Sequence, residues 1–197
     1  MNWLAHLWLA PPTPQGWLGA LAGDVLKGPA PGEGDPEFVA SFALHRRIDV
    51  LTDAHPAFAR SRLRLDPRHR HYRAVLVDVF YDHVLAHRWS EFASGSLEAF
   101  VARVHGSLDA LLPTMPPSLA DFYPRLRDEG WLLSYRHIAG IETTLRRMRR
   151  RMRRDHPLDE AAAELLAVRD DLTGDLRELW PSLLQASDLR DQLDQRR

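Results

Sequence analysis

The feature that most constrains this fold is a helical spacing of apolar residues along nearly the whole chain, interrupted by proline and glycine. No stretch alternates apolar and polar residues for long enough to predict a strand. The chain of 197 residues has the length of one compact domain. The sequence therefore predicts a single all-α domain over residues 1–197, a bundle of seven to nine helices whose last ten residues fray. The spacing predicts its principal helices over about 16–27, 35–51, 68–89, 96–112, 131–154 and 157–186.

Composition excludes several classes of protein. The chain has no cysteine, which excludes a disulfide framework, a thiol nucleophile and a zinc ribbon. Its first 23 residues carry no charged side chain, but prolines at positions 11, 12 and 14 interrupt them, and a membrane span needs about 20 consecutive apolar residues. No Lys or Arg follows Met1, as it would in a signal peptide. We therefore expect a cytoplasmic protein without a membrane partner.

The segment 74–85 (AVLVDVFYDHVL) is apolar on almost every side and places acids in a buried helix. Asp78 and Asp82 lie four residues apart, on one stripe, and His83 follows about 100° further round the helix. Two buried carboxylates on one stripe repel each other, so a positive partner must separate them. That partner is either an arginine or a divalent metal, and spacing alone leaves both open.

Three other segments repeat this pattern. His45 and Asp49 are four residues apart, and Asp24 and His6 each stand alone among apolar residues. Taken alone, each of these residues is consistent with a histidine or an acid that has an ordinary structural partner. Together they predict one polar centre inside the bundle, with ligands that suit Mn²⁺, Fe²⁺, Mg²⁺ or Zn²⁺. Such a centre activates water for hydrolysis, and the neighbouring arginines at 46 and 47 favour a phosphoester substrate.

Five short blocks carry a resemblance to a known family: 1–7 (MNWLAHL), 23–28 (GDVLKG), 44–49 (LHRRID), 52–56 (TDAHP) and 78–83 (DVFYDH). In this order and at these separations they resemble the acyl carrier protein phosphodiesterases. The resemblance implies hydrolysis of the phosphodiester that joins 4′-phosphopantetheine to a serine of holo acyl carrier protein. It also implies a helical, HD-domain-like fold and dependence on Mn²⁺, with Mg²⁺ or Fe²⁺ as other divalent ions.

The resemblance further implies a role for individual residues. It implies metal binding by Asp24, His45, Asp78, Asp82 and His83. The residues that it makes candidates for proton transfer, orientation or phosphate contact are His6, Arg46, Asp49 and His55. The order Asp82–His83 reverses the His–Asp dyad of the wider HD superfamily.

Seven arginines stand among the nine residues 146–154 (RRMRRRMRR). They fit an exposed charged face balanced by the acidic helix over 159–178. No aromatic side chain interleaves with them, which disfavours a nucleic-acid partner. If the resemblance holds, the partner is a small acidic protein, and Arg149, Arg150 and Arg153 become a candidate docking surface.

Three functions stay open at this point. The first is hydrolysis of holo acyl carrier protein. The second is HD-type hydrolysis of a nucleotide or other small phosphoester. The third is a non-catalytic helical adaptor that binds an acyl carrier protein. The sequence fixes no oligomeric state.

Overall fold

A computed structural model describes residues 1–28, 34–150, 152 and 158–187. Within these ranges the chain forms eleven α-helices and no strand, which confirms the all-α prediction. Three short 3₁₀ turns, Pro67–His69, Leu112–Thr114 and Leu158–Ala161, connect some of them. The helices are α1 (Trp3–Leu9), α2 (Pro14–Val25), α3 (Pro36–Ala54), α4 (Pro56–Arg64), α5 (Tyr72–His87), α6 (Trp89–Phe92), α7 (Leu97–Leu111), α8 (Pro117–Asp128), α9 (Trp131–Ser134), α10 (Ile138–Arg150) and α11 (Ala162–Ala186).

The described helices outnumber the expected seven to nine because short ones are included. The helix expected over 131–154 is two helices, the four-residue α9 and then α10. Gly140 permits the sharp turn between them, since a Cβ at this position would lie 2.0 Å from the carbonyl oxygen of Ser134. The expected fraying of the last ten residues falls at 188–197, outside the described residues.

Side-chain caps and prolines fix where several helices begin. Asp35 accepts hydrogen bonds from the backbone N–H groups of Glu37 and Phe38, and Pro36 opens α3, as its sequence predicts. Thr13 caps α2 in the same way, with its hydroxyl accepting from the N–H of Gly16. These local signals set the phase of α2 and α3, and therefore which of their side chains face each other.

Helices α2 and α3 approach closely because glycines line their contact. A Cβ at Gly19 would lie 2.4 Å from the carbonyl oxygen of Phe38, and one at Gly23 would lie 2.3 Å from the ring of His45. Between them, the hydroxyl of Ser41 donates to the carbonyl of Gly16 at 2.6 Å. Without these glycines the two helices would stand further apart, and the polar side chains that they share would separate.

Helix α5 lies in the centre of the bundle and packs against α1, α4, α10 and α11. Leu76, Val77, Phe80 and Val84 are buried, so the helix is apolar nearly all round, as predicted. The buried apolar side chains of the described residues form one continuous core. No helix in the described ranges is both long enough and apolar enough to cross a membrane.

Candidate metal centre

Helices α1, α2 and α3 bring two histidines and two carboxylates together at one edge of the core. His6 lies on α1, Asp24 near the end of α2, and His45 and Asp49 on successive turns of α3. His6 and His45 are buried, whereas the side chain of Asp49 is 40% exposed and that of Asp24 is 41% exposed. The group therefore has a buried imidazole side and a carboxylate side that faces solvent.

His6, His45 and Asp49 are close enough to share an ion. One ligand atom from each lies within 4.8 Å of the others, and within the described residues only these three meet that criterion. The His6 and His45 rings are stacked, with centroids 3.5 Å apart and planes 10° from parallel. Asp49 spans both rings, with Oδ1 3.0 Å from His6 Nε2 and Oδ2 3.4 Å from His45 Nε2.

A backbone carbonyl fixes the His45 ring. Its Nδ1 donates to the carbonyl of Ala20 at 2.8 Å, so Nε2 points towards Asp49 and towards Asp24, whose Oδ1 is also 3.4 Å away. A histidine whose second nitrogen donates to a carbonyl is the usual arrangement at a metal site. Burial acts to lower the pKa of His45, but the carboxylates of Asp24 and Asp49 outweigh it and raise the pKa to about 9.

His6 has the opposite electrostatic environment. Burial lowers its pKa to about 4, although Asp49 acts to raise it, so this ring is neutral near pH 7. Its Nε2 contacts Asp49 and, at 3.3 Å, the carbonyl oxygen of Met1. Its Nδ1 is buried and has no hydrogen-bond partner within the described residues. A neutral imidazole is the form that binds metal.

Asp49 is the residue of the group that contacts both histidines and the Met1 amino group. Burial acts to raise its pKa, but His45 and His6 hold it well below the usual range, so the carboxylate is ionised. The Met1 amino group lies 3.3 Å from Asp49 Oδ1 and 2.9 Å from Asp78 Oδ1, and so connects Asp78 to the group. Burial raises the pKa of Asp78.

These residues fit a divalent metal. They supply two imidazoles and carboxylate oxygens, with no sulfur, which is the donor set of Mn²⁺, Fe²⁺, Mg²⁺ or Zn²⁺ sites. The buried Nε2 of His45 faces the carboxylate oxygens of Asp24 and Asp49 at 3.4 Å each, and the buried Nδ1 of His6 makes no hydrogen bond within the described part of the chain. Buried polar atoms without a partner are rare in folded proteins, and a bound ion beside these carboxylates is one arrangement that satisfies such an atom.

Asp82 contacts the backbone of α1 rather than the side chains of His6, His45 and Asp49. It is fully buried, and its two oxygens accept the backbone N–H groups of Leu4 at 2.7 Å and Ala5 at 3.1 Å. Asp82 therefore anchors the first turn of α1, the helix that carries His6. Burial raises its pKa to about 7, against the lowering effect of these two hydrogen bonds.

His83 contacts other parts of the protein than Asp82 does. Its Nδ1 contacts the carbonyl oxygen of Tyr135 at 2.8 Å, and its ring stacks on that of His87. Burial lowers the pKa of His83 to about 4. The structure thus gives Asp82 and His83 partners outside the group of His6, His45 and Asp49.

The remaining expected residues do not belong to the group of His6, His45 and Asp49 within the described residues. The exposed guanidinium of Arg46 donates to the carbonyl of Gly28 and lies over the ring of Phe42. His55 caps α4, where its Nδ1 accepts the N–H of Ala57 at 3.2 Å. Arg149 and Arg150 end α10, and Arg153 lies outside the described residues.

Several residues of the centre escaped the sequence analysis. Gly23 and the carbonyl of Ala20 hold the His45 ring in place, but neither carries a chemical group that marks a site. The glycine directly before the isolated Asp24 was the one available signal. Beside Asp24 the structure also shows an aromatic cavity that no spacing indicated.

Comparisons with known proteins identify the family of the chain. A family model described as acyl carrier protein phosphodiesterase matches residues 1–183. An acyl carrier protein phosphodiesterase of Serratia proteamaculans is 32% identical over 186 residues, which cover 94% of this chain and 96% of that protein. Proteins of the same name from Photorhabdus laumondii and Salmonella agona are 28% and 31% identical, over 97% and 93% of this chain and 97% and 96% of those proteins. No solved structure matches the chain. The chain belongs to the acyl carrier protein phosphodiesterase family.

Proposed function

We propose that this protein is a metal-dependent phosphodiesterase that removes 4′-phosphopantetheine from holo acyl carrier protein. The observation that carries the proposal is the grouping of His6, His45 and Asp49 in a chain that matches the family model over residues 1–183. The reaction breaks the bond between phosphorus and the serine oxygen of the carrier. Water supplies the oxygen that phosphorus gains, and the serine oxygen leaves with a proton.

We propose Mn²⁺ as the native ion, held by His6, His45 and Asp49, with Asp24 beside them. A divalent ion bound there would polarise a phosphoryl oxygen and lower the pKa of the attacking water. The chain positions the ligands through the carbonyl of Ala20, which orients the His45 ring. Asp82 contributes by anchoring α1, and so by holding His6 over His45. A metal role of Asp78, Asp82 and His83 stays a prediction.

The proposed roles of Arg46 and His55 concern the substrate rather than the metal. A guanidinium has five N–H donors, and the contact of Arg46 with Gly28 leaves others available for a phosphate oxygen. His55 uses Nδ1 as a cap and its side chain makes no other hydrogen bond within the described residues, so we propose that its Nε2 exchanges a proton. Both assignments stay predictions, to be separated by the pH dependence of kcat in single variants.

The carrier protein would dock beside α10. Because the scissile phosphodiester is attached directly to a serine of the carrier, the surface of the carrier must lie against the mouth of the metal centre. Arg147 of α10 lines the same cavity as Asp24, so the end of α10 borders that mouth. Arg149 and Arg150 follow on the same helix and would attract an acidic partner.

Reversing the charge of Arg149 and Arg150 to Glu tests this surface. We expect weaker binding of holo carrier protein, with a larger loss at low salt because the attraction is electrostatic. The matched control reverses Arg62 and Arg73, which line a separate basic groove between α4 and the start of α5. Titration calorimetry at two salt concentrations gives the comparison. An α10 variant that binds like the wild type would exclude this surface.

The activity itself is tested by offering purified protein three substrate classes with Mn²⁺: holo acyl carrier protein, nucleotides and small phosphodiesters. The proposal predicts release of 4′-phosphopantetheine, detected by liquid chromatography, and much slower turnover of the other two. Preferential turnover of a nucleotide would instead support HD-type hydrolysis of small phosphoesters. Binding of the carrier without any release would support an adaptor.

A further inference from the structure

A cavity of about 300 Å³ lies beside the metal centre and has no role in the chemistry described above. Residues of α1, α2, α8, α9 and α10 line it, and the α2 contribution is Asp24. Asp24 Oδ1 is 3.4 Å from His45 Nε2, so the same carboxylate borders both the cavity and the metal centre. A molecule in the cavity that contacts Asp24 therefore lies next to the metal centre.

The walls of the cavity are aromatic and held in place. Trp3 packs on Phe122 at 4.8 Å between ring centroids, and Phe122 meets Trp131 edge-on at 5.7 Å. The Trp131 indole donates to Glu129 at 3.1 Å, and the guanidinium of Arg147 lies 4.6 Å above its ring while also pairing with Glu129. Small-molecule sites are typically preformed apolar clefts of this kind, from roughly 300 Å³ upwards.

A few polar groups interrupt these aromatic walls. The side-chain amide of Asn2 donates to the hydroxyl of Tyr135 at 3.2 Å, which leaves the amide oxygen of Asn2 as an acceptor. Burial raises the pKa of Tyr135 well above its usual value, so its hydroxyl keeps a proton to donate. The hydroxyl of Thr144, nearly buried on α10, makes no hydrogen bond within the described residues.

We propose that this cavity binds the pantetheine arm of the substrate, an inference that rests on the proposed function. The arm leaves the phosphate as a neutral chain with two methyl groups on one carbon, a hydroxyl, two amides and a terminal thiol. Its methyl groups suit the faces of Trp3 and Trp131, and its amides and hydroxyl suit Asn2, Tyr135 and Thr144. With the arm in the cavity, its phosphate end lies at Asp24 and hence at the metal centre.

The geometry favours this chain over a nucleobase. A flat base is held best between parallel rings or on an open aromatic face. Here Trp3 and Trp131 each pack against Phe122, at interplanar angles of 37° and 82°, so these rings form no parallel slot. The cavity thus accommodates a narrow branched chain, which a purine does not resemble.

Binding of pantetheine alone tests the inference without metal or carrier protein. Trp3 and Trp131 line the cavity, so we expect pantetheine to change the intrinsic tryptophan fluorescence of the wild-type protein in a saturable way. Thr144→Leu fills the cavity and should weaken this binding about tenfold or more. Thr143→Leu is the matched control, because Thr143 is the preceding residue of α10 and does not line this cavity.

Kinetics supply the second readout. We expect Thr144→Leu to raise KM for holo carrier protein and to lower kcat/KM about tenfold, with Mn²⁺ affinity unchanged, since the ligands are untouched. Asn2→Ala provides a milder variant should Thr144→Leu fail to fold, because Asn2 makes no side-chain cap for α1. It should weaken pantetheine binding several-fold.

Failure of this inference and failure of the proposed function give different results. If wild-type protein releases 4′-phosphopantetheine, yet pantetheine leaves its fluorescence unchanged and Thr144→Leu keeps the wild-type kcat/KM, the cavity is not the arm site. If adenosine binds the cavity and pantetheine does not, the inference is likewise overturned. If pantetheine binds and Thr144→Leu abolishes that binding while no carrier protein is hydrolysed, the cavity assignment stands and the proposed reaction fails.

Discussion

Gly23→Ala should displace a proposed metal ligand without altering any ligand chemically. A Cβ at position 23 would lie 2.3 Å from Cγ, 2.5 Å from Cδ2 and 2.6 Å from Nδ1 of His45, whereas ordinary contact begins at 3.4 Å. The ring must therefore move by about 1 Å to reach ordinary van der Waals separation. The 2.8 Å hydrogen bond from His45 to Ala20 and the stacking on His6 both oppose that movement.

Two effects on stability oppose each other in this variant. Overpacking of a buried contact costs about 1–3 kcal/mol. Replacing a glycine inside a helix by alanine stabilises the folded state by about 1 kcal/mol. The free energy of unfolding should thus fall by no more than about 2 kcal/mol. The catalytic rate should fall by a larger factor, because a 1 Å displacement of a reacting group can lower a rate about 100-fold.

Urea unfolding of the metal-free protein and calorimetric titration with Mn²⁺ measure the two effects separately. We expect Gly23→Ala to lower Mn²⁺ affinity by about 10- to 100-fold, as does loss of the groups that orient a ligand. Gly106→Ala is the matched control, because this helical glycine has nothing within 4 Å of an added Cβ. Its free energy of unfolding should rise by about 0.5–1 kcal/mol, and it should bind Mn²⁺ with wild-type affinity. Wild-type Mn²⁺ affinity in Gly23→Ala would refute the reasoning.

Two further predictions concern single carboxylates. Asp49→Ala removes the carboxylate that contacts both histidines and should lower Mn²⁺ affinity about 100-fold in calorimetry. The control, Asp53→Ala, lies one turn further along α3 and should leave Mn²⁺ affinity unchanged. Equal affinities of the two variants would show that Asp49 is no ligand. Asp175 is buried on α11, and although burial acts to raise its pKa, Arg64, Ser61 and Arg60 hold the pKa below its usual value of 3.8. A lowered folded-state pKa contributes stability that is complete above the unfolded value and is lost as pH falls towards the folded one. Asp175→Asn should therefore cost about 1–3 kcal/mol at pH 7 and progressively less below about pH 4 in urea unfolding, and a cost that grows with acid would contradict the assignment.

Local sequence rules predicted the helical class and several helix starts. Asp35 and Pro36 define the start of α3 because capping and proline preference act within one turn. His45 and Asp49 could be placed on one face for the same reason, since residues four apart are neighbours on any helix. The structure places their side-chain atoms 3.4 Å apart.

The roles of Asp82 and Gly23 depend on partners that leave no mark in a sequence. Asp82 accepts from the backbone of Leu4, 78 positions earlier, and any residue except proline offers that N–H. Gly23 matters because a ring from another helix fills the space of its missing side chain. The aromatic cavity likewise arises from five separate helices, so no local spacing predicts it.

The most direct test of the central claim is intact-mass spectrometry of holo acyl carrier protein incubated with the purified protein. The account predicts that the carrier loses the mass of phosphopantetheine with Mn²⁺, keeps it with a chelator, and keeps it when Asp49→Ala replaces the wild type. A carrier that retains its full mass with every divalent ion, or loses it equally with chelator, would contradict a metal-dependent phosphodiesterase built on His6, His45 and Asp49.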